Sequence, residues 1–278
     1  MVDEQESTKT VLKLTLFWFA QNMVVPPLEE VFMRRIVAVV FFVFVVNQAQ
    51  ASQVWDIMQF QVQPGQAAAA LQAFDELQSS DAGSSRTASV QFQSIYFNGI
   101  SPATHAVVVL YPSRAEHERW RKSMAGSADF RKFQKAMRKV ATPVAQSANS
   151  PIKGWGTLSS KDKAWSAIRL RVSNPAKLLQ AMDTMLTSPE FKDFTGQVWL
   201  SAIDAGNVNH DGFASHIITI GHESFTEMEQ WTDYANTTEA WSTYLRTISD
   251  VVDRVSTERV EHLRVYDHDM SIEDFQQN

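Results

Sequence analysis

Residues 104–140 read THAVVVLYPSRAEHERWRKSMAGSADFRKFQKAMRKV, and residues 215–251 read SHIITIGHESFTEMEQWTDYANTTEAWSTYLRTISDV. At a constant shift of 111 residues, His105 falls on His216, Ser113 on Ser224, Glu116 on Glu227, Glu118 on Glu229, Trp120 on Trp231 and Val140 on Val251. Repetition at fixed spacing settles the architecture before any single element does. Each copy opens with a β-branched run, 105–110 or 216–220, which predicts a strand. Ser113-x-x-Glu116 and Ser224-x-x-Glu227 then read as capping boxes at helix starts. In the first copy the apolar face begun by Trp120 and Met124 is interrupted at 125–127 and resumed by Phe130, Phe133, Met137 and Val140.

Working upstream, 54–62 alternates in strand fashion, and its Trp55 reappears as Trp165 in a second alternating run. Helical spacing follows at 66–77 and 175–186, the latter with Pro175 in its first turn. Further strands are expected at 88–97 and 198–203, and a short fourth strand closes each unit near 153–158 and 261–266. The order per unit is β-α-β-β-α-β, the ferredoxin-like split motif. The predicted fold is therefore α+β: tandem ferredoxin-like units at 52–157 and 158–267, followed by an acidic tail at 268–278. Their antiparallel sheets are expected to pack into a barrel-like whole.

This order, with its interrupted second helix after a β-branched third strand, resembles the dimeric α/β-barrel superfamily and its antibiotic-biosynthesis monooxygenase-like members. The resemblance implies that two units normally packed as a dimer are here joined in one chain. Many such members carry His-x-x-Ser-Pro-x-Phe in the second helix. Here the segment runs from Met124 through Ser127 to Phe130, and in the second copy from Ala235 through Thr238 to Trp241. The histidine is missing from both, so oxygenase chemistry does not carry over residue by residue. Chlorite dismutase-like proteins are similar in having tandem units, and they are what a haem-using alternative would look like.

The 278 residues begin with segments of another character. From Met33, an arginine pair (Arg34, Arg35), an apolar run at 36–46 and Ala49-Gln50-Ala51 read as a signal peptide, 33–51. The run is about half of the ~20 residues that a spanning helix needs, so no membrane span is expected after cleavage. Residues 1–32 read as an extension that is not translated, with Met33 as the start. Codons GAG-GAG-GTN for Glu29, Glu30 and Val31 would form a ribosome-binding sequence. The chain has no cysteine, so an exported, periplasmic or secreted protein must rest on its core without disulfides. A net charge of −6 on an exported chain does not suit nucleic acid.

Candidate chemistry lies in three places. His105 and His216 are the candidate catalytic pair, since an imidazole facing the barrel interior suits a general base or a haem ligand. Alternatively each opens a strand and satisfies a neighbour. The parity of His216 with Ile218 and Ile220 places it on the face expected to be helix-covered. Second, Trp55, Gln59, Gln61, Trp165, Arg169 and Arg171 are assigned to the interior faces, where aromatic walls and convergent polar groups define a small-ligand pocket. Third, the halves differ in charge. Residues 52–157 hold 11 basic and 7 acidic groups and residues 158–278 hold 10 and 19, a net of +4 against −9. The basic excess includes Arg119, Lys122, Arg131, Lys132, Lys135, Arg138 and Lys139, a surface for an anionic partner.

No phosphate loop, serine elbow or zinc motif is present, and neither a metal nor an obligatory cofactor is expected. Asn209-His210-Asp211-Gly212 and Asp267-His268-Asp269 read as solvated turns. The leading functional expectation is an exported protein that binds a small molecule between its two sheets. The alternatives are an enzyme of the barrel superfamily, cofactor-free or haem-using, and an interaction module acting through the basic helix. Terminal sequencing of the chain recovered from outside the cytoplasm is expected to begin at Ser52; a start upstream of Met33 would remove both the signal and the start-codon reading.

Overall fold

Along β3 (His105–Tyr111), Ala106, Val108 and Leu110 pack with Trp55, Ile57, Trp165 and Ala167, whereas Val107, Val109 and Tyr111 pack with Phe74 and Met137. Period-two alternation gives a strand two faces, and here both are apolar, so the strand must be covered on both sides. The computed structural model describes residues 53–99, 101–206 and 213–275. The expected extension, signal peptide and turn at 209–212 lie outside them.

The first half comprises β1 (Val54–Val62), α1 (Ala67–Gln78), the single turn α2 (Asp81–Ser84), β2 (Ala88–Phe97), β3, α3 (Arg114–Gly126), α4 (Ala128–Val140) and β4 (Ala141–Trp155). The second comprises β5 (Ala164–Val172), α5 (Pro175–Leu186), β6 (Gln197–Ala205), β7 (His216–His222), α6 (Phe225–Thr237), α7 (Glu239–Ile248) and β8 (Val252–His268). The described chain is thus α+β, with one antiparallel eight-stranded sheet.

The helix starts are half as expected. Ser113 accepts from Glu116 N at 3.1 Å and Ser224 from Glu227 N at 3.2 Å. The glutamates do not complete the box, because backbone donors outside the helices compete for them. Glu116 accepts from Thr87 N at 3.2 Å and Glu227 from Glu223 N at 2.8 Å. The interruption at 125–127 is a true break: Ser127 is extended, ends α3, and caps α4 by accepting from Phe130 N at 3.2 Å. Thr238 does the same between α6 and α7, accepting from Trp241 N at 3.2 Å.

The fourth strands correct the sequence reading. They are long, 15 residues in β4 and 17 in β8, and each joins two neighbours. β4 pairs with β1 through Ala141–Asn149 and with β6 through Ala148–Trp155. β8 pairs with β5 through Val252–Glu261 and with β2 through Arg259–His268. The result is one closed barrel, in the order β1-β3-β2-β8-β5-β7-β6-β4, rather than two sheets laid face to face. Closure removes every free edge. Pro143 and Pro151 hid β4 from sequence reading; each stands beside a register shift, where a strand tolerates a missing amide.

Helices α1 and α4 cover the outer face of the first half, and α5 and α7 that of the second. Inside the barrel, the cluster around Trp55, Trp165 and Ile217 also receives Met270, Ile272 and Phe275 from the tail. The tail is tied down where Ser160 N donates to Glu273 Oε1 at 2.7 Å. The interior also holds a buried ion pair, Arg169 Nη1 to Glu258 Oε1 at 2.7 Å, and Gln59 Nε2 donates to the other Glu258 oxygen at 2.7 Å. Removing one partner strands a buried charge, whereas replacing both with apolar groups of like volume is often neutral. Glu258→Ala is expected to lower unfolding free energy by about 3–5 kcal/mol in urea titrations, and Arg169→Met with Glu258→Leu to recover most of it.

Candidate functional site

The interior splits the residues assigned to it. Trp55 and Trp165 line a cavity of about 70 Å³ together with Gln91, Gln93, Glu258 and Phe275. Gln59 and Arg169 are taken up by Glu258. Gln61 and Arg171 have the same strand parity but are exposed at strand ends, beyond the shifts at Gln59/Phe60 and Arg169/Leu170. Organic ligands usually occupy about 300 Å³ or more. With the tail seated, the interior has room for little beyond water.

His105 and His216 lie on the helix-covered face. His105 stacks on Phe92 at 5.4 Å, and its Nδ1 is 2.9 Å from Thr104 Oγ1. His216 Nδ1 is 2.9 Å from Ser215 Oγ. Burial lowers the pKa of both. Neither lines the interior cavity, so they offer a haem no axial ligand there. His268 Nε2 lies 3.0 Å from Gln78 Oε1, and among the described residues no three His, Cys, Asp or Glu side chains converge.

A larger space, about 680 Å³, opens between the outer face of β1 and helices α3 and α4. Its apolar lining includes Met58, Phe74, Trp120, Met124, Phe133 and Met137. Asp56, on the outward parity of β1, meets His117 in the first turn of α3, with His117 Nε2 2.8 Å from Asp56 Oδ2. Asp56 Oδ1 is buried with no hydrogen-bond partner. Burial raises the Asp56 pKa, against the opposing pull of His117 and Arg121. Tyr111 lies under this pair, its ring 4.8 Å from His117 and 5.8 Å from Trp120. Burial drives its phenol well above the usual range, so it stays protonated. Trp120 Nε1 is buried without a partner, and the Tyr111 hydroxyl is buried with the Arg86 guanidinium beside it. Arg86 completes the wall, 4.6 Å above the Trp120 ring.

At the register positions of Asp56 and His117 the second half holds no titratable pair, although His222 stands where Tyr111 does. Asp56 pairs across the ladder with Val109, as Ser166 does with Ile220, and His117 and Met228 each stand four residues past the capping serine. There Ser166 Oγ contacts Met228 Sδ at 3.3 Å, and Trp231 Nε1 donates to Thr195 Oγ1 at 3.3 Å. Trp231 Nε1 thus has a partner where Trp120 Nε1 has none, although His222 Nδ1, at the position of Tyr111, is itself buried without one. Buried polar atoms normally find partners, so this cluster is the candidate site.

Sequence reading passed over Asp56, Arg86, Tyr111 and His117. The signal was present: at the shift of 110 residues that carries Trp55 onto Trp165, Asp56 falls on Ser166, and at the shift of 111 His117 falls on Met228, chemical mismatches inside otherwise matched elements. The basic residues of α3 and α4 are exposed as expected. Three of them are engaged locally, Arg119 by Glu116, Lys122 by Glu118 and Lys132 by Glu76.

No protein-family model matches the chain, and no curated protein sequence is significantly similar to it. Solved structures are similar in shape. A candidate monooxygenase from Lactobacillus acidophilus aligns with TM-score 0.54 and 9% identity, over 78% of this chain and 97% of its own. One from Fusobacterium nucleatum aligns with TM-score 0.54 and 9% identity, over 78% and 95%. An anthrone oxidase-like protein gives 0.51 and 11%, over 80% and 94%. At such identities the likeness establishes the fold alone, an antiparallel eight-stranded α+β architecture.

A carboxyl group whose folded pKa is raised contributes stability below its unfolded pKa and loses it as pH rises through the folded value. Asp56→Asn is therefore expected to melt higher than the parent at pH 7, with the difference vanishing below about pH 4; equal melting at pH 7 would show that His117 fully compensates the buried carboxylate.

Proposed function

We propose that this protein binds a small organic molecule in the cleft between β1 and helices α3 and α4, and that the Asp56–His117 pair transfers a proton to or from it. The observation that carries this reading is the unsatisfied Asp56 Oδ1 beside His117, in a space of about 680 Å³ with apolar walls. A carboxylate beside an imidazole, its pKa raised by burial, is suited to act as a general base. The small-molecule expectation is thereby kept, and its location moves from the interior to the outer cleft.

Support for an enzyme rather than a carrier comes from the acid–base pair. We further read the two halves as a duplication in which the first kept the chemistry and the second kept the packing. The Met33–Ala51 pattern supports action outside the cytoplasm.

Methionine methyl NMR tests the binding site. Candidate ligands are expected to shift Met58, Met124 and Met137, which line the cleft, and to leave Met182 and Met185 in the second half unmoved. Shifts confined to Met270 would return the site to the interior. For a ligand that turns over, Asp56→Asn and His117→Gln are expected to lower kcat by about 10²–10⁴-fold while the methyl shifts persist.

A further inference from the structure

Arg86 is only 2% exposed, yet among the described residues no carboxylate pairs with it. One guanidinium nitrogen donates to Gln78 Oε1, the Tyr111 hydroxyl lies alongside, and Nε is buried with no partner. Burying an uncompensated charge is costly, and proteins normally pair it or dispense with it. The second half dispenses with it. Gln91 pairs with Val108 as Trp199 pairs with Thr219, so the residue five before each, Arg86 or Phe194, occupies the same place. Phe194 packs on Trp231 at 5.0 Å and on His222 at 5.5 Å, as Arg86 packs on Trp120 and beside Tyr111. The fold does not require a cation at this position.

We infer that Arg86 is the anion-binding residue of the cleft, and that the ligand is an organic acid, an apolar or aromatic body carrying a carboxylate or similar anionic oxygens. Arginine suits such a group because its planar fork matches two oxygens at once. Burial lowers its pKa to about 10, which leaves it charged at neutral pH. Arg121 and Arg138 also line the cleft and add positive potential at its mouth. Tyr111 touches both ends of the site, so an acid anchored on Arg86 presents its neighbouring atoms to Asp56 and His117. The inference rests on the cleft reading and adds the charge of the ligand.

The test titrates the full chain with benzoate and with benzyl alcohol, its neutral counterpart, at constant chloride, read on the Met58, Met124 and Met137 methyls. Benzoate is expected to bind at least about tenfold more tightly, and Arg86→Phe to abolish the preference while melting no lower than the parent. Arg86→Met serves the same comparison if the phenylalanine variant does not fold. Equal binding of the two probes, or a preference that survives Arg86 replacement because the exposed α4 lysines provide it, overturns the anion assignment and leaves the cleft standing. Failure of both probes to move the cleft methyls overturns the cleft reading and the inference with it.

Discussion

Every other feature follows from the way β4 and β8 each hydrogen-bond to both halves of the chain. A strand shared in this way leaves no edge on either sheet, and the eight strands must close. Closure seals the interior, so each polar side chain pointing inward needs an internal partner. Arg169, Glu258 and Gln59 answer that demand with one another, and Trp55 Nε1 does so with Ser201 Oγ at 3.2 Å. What remains is too small for an organic ligand. Chemistry is thereby displaced to the outer faces, where helices stand off the sheet and can leave a cleft.

The two outer faces show that packing and chemistry are separable on one scaffold. Both halves place a tryptophan on the first helix after the third strand, and both set a side chain from before the second strand against it. In one half that side chain is Phe194 and in the other Arg86. The Asp56–His117 contact has Ser166–Met228 as its counterpart. The polar version costs stability, since it buries a charge and several unsatisfied atoms, and at the positions of Arg86 and Trp120 the second half avoids that cost. Destabilising groups gathered at one cleft are what a binding or catalytic site looks like before its ligand arrives.

Much of the fold was readable because it rests on local rules. Ser113 and Ser224 cap helices as their types require, and the breaks before Phe130 and Trp241 come from serine and threonine doing the same a second time. Parity also placed Gln59 and Arg169 inside and His216 on the helix side. It failed for Gln61 and Arg171 because parity says nothing about where a strand leaves the barrel. It failed for β4 because its prolines and small polar residues carry no strong alternation, and its pairing is decided by partners far away in sequence.

The sequence by itself determined the order of elements, the caps, the repeated framework and the two faces of each central strand, because these depend on neighbours within a turn or a pleat. It also contained the mismatches of Asp56 with Ser166 and of His117 with Met228, though not their meaning. Only the tertiary structure brought Asp56, Arg86 and His117 to one cleft, from a strand, a loop and a helix, with Tyr111 buried beneath them. Only it left Asp56 Oδ1 and Arg86 Nε without partners, because satisfaction is counted across the whole fold rather than along the chain.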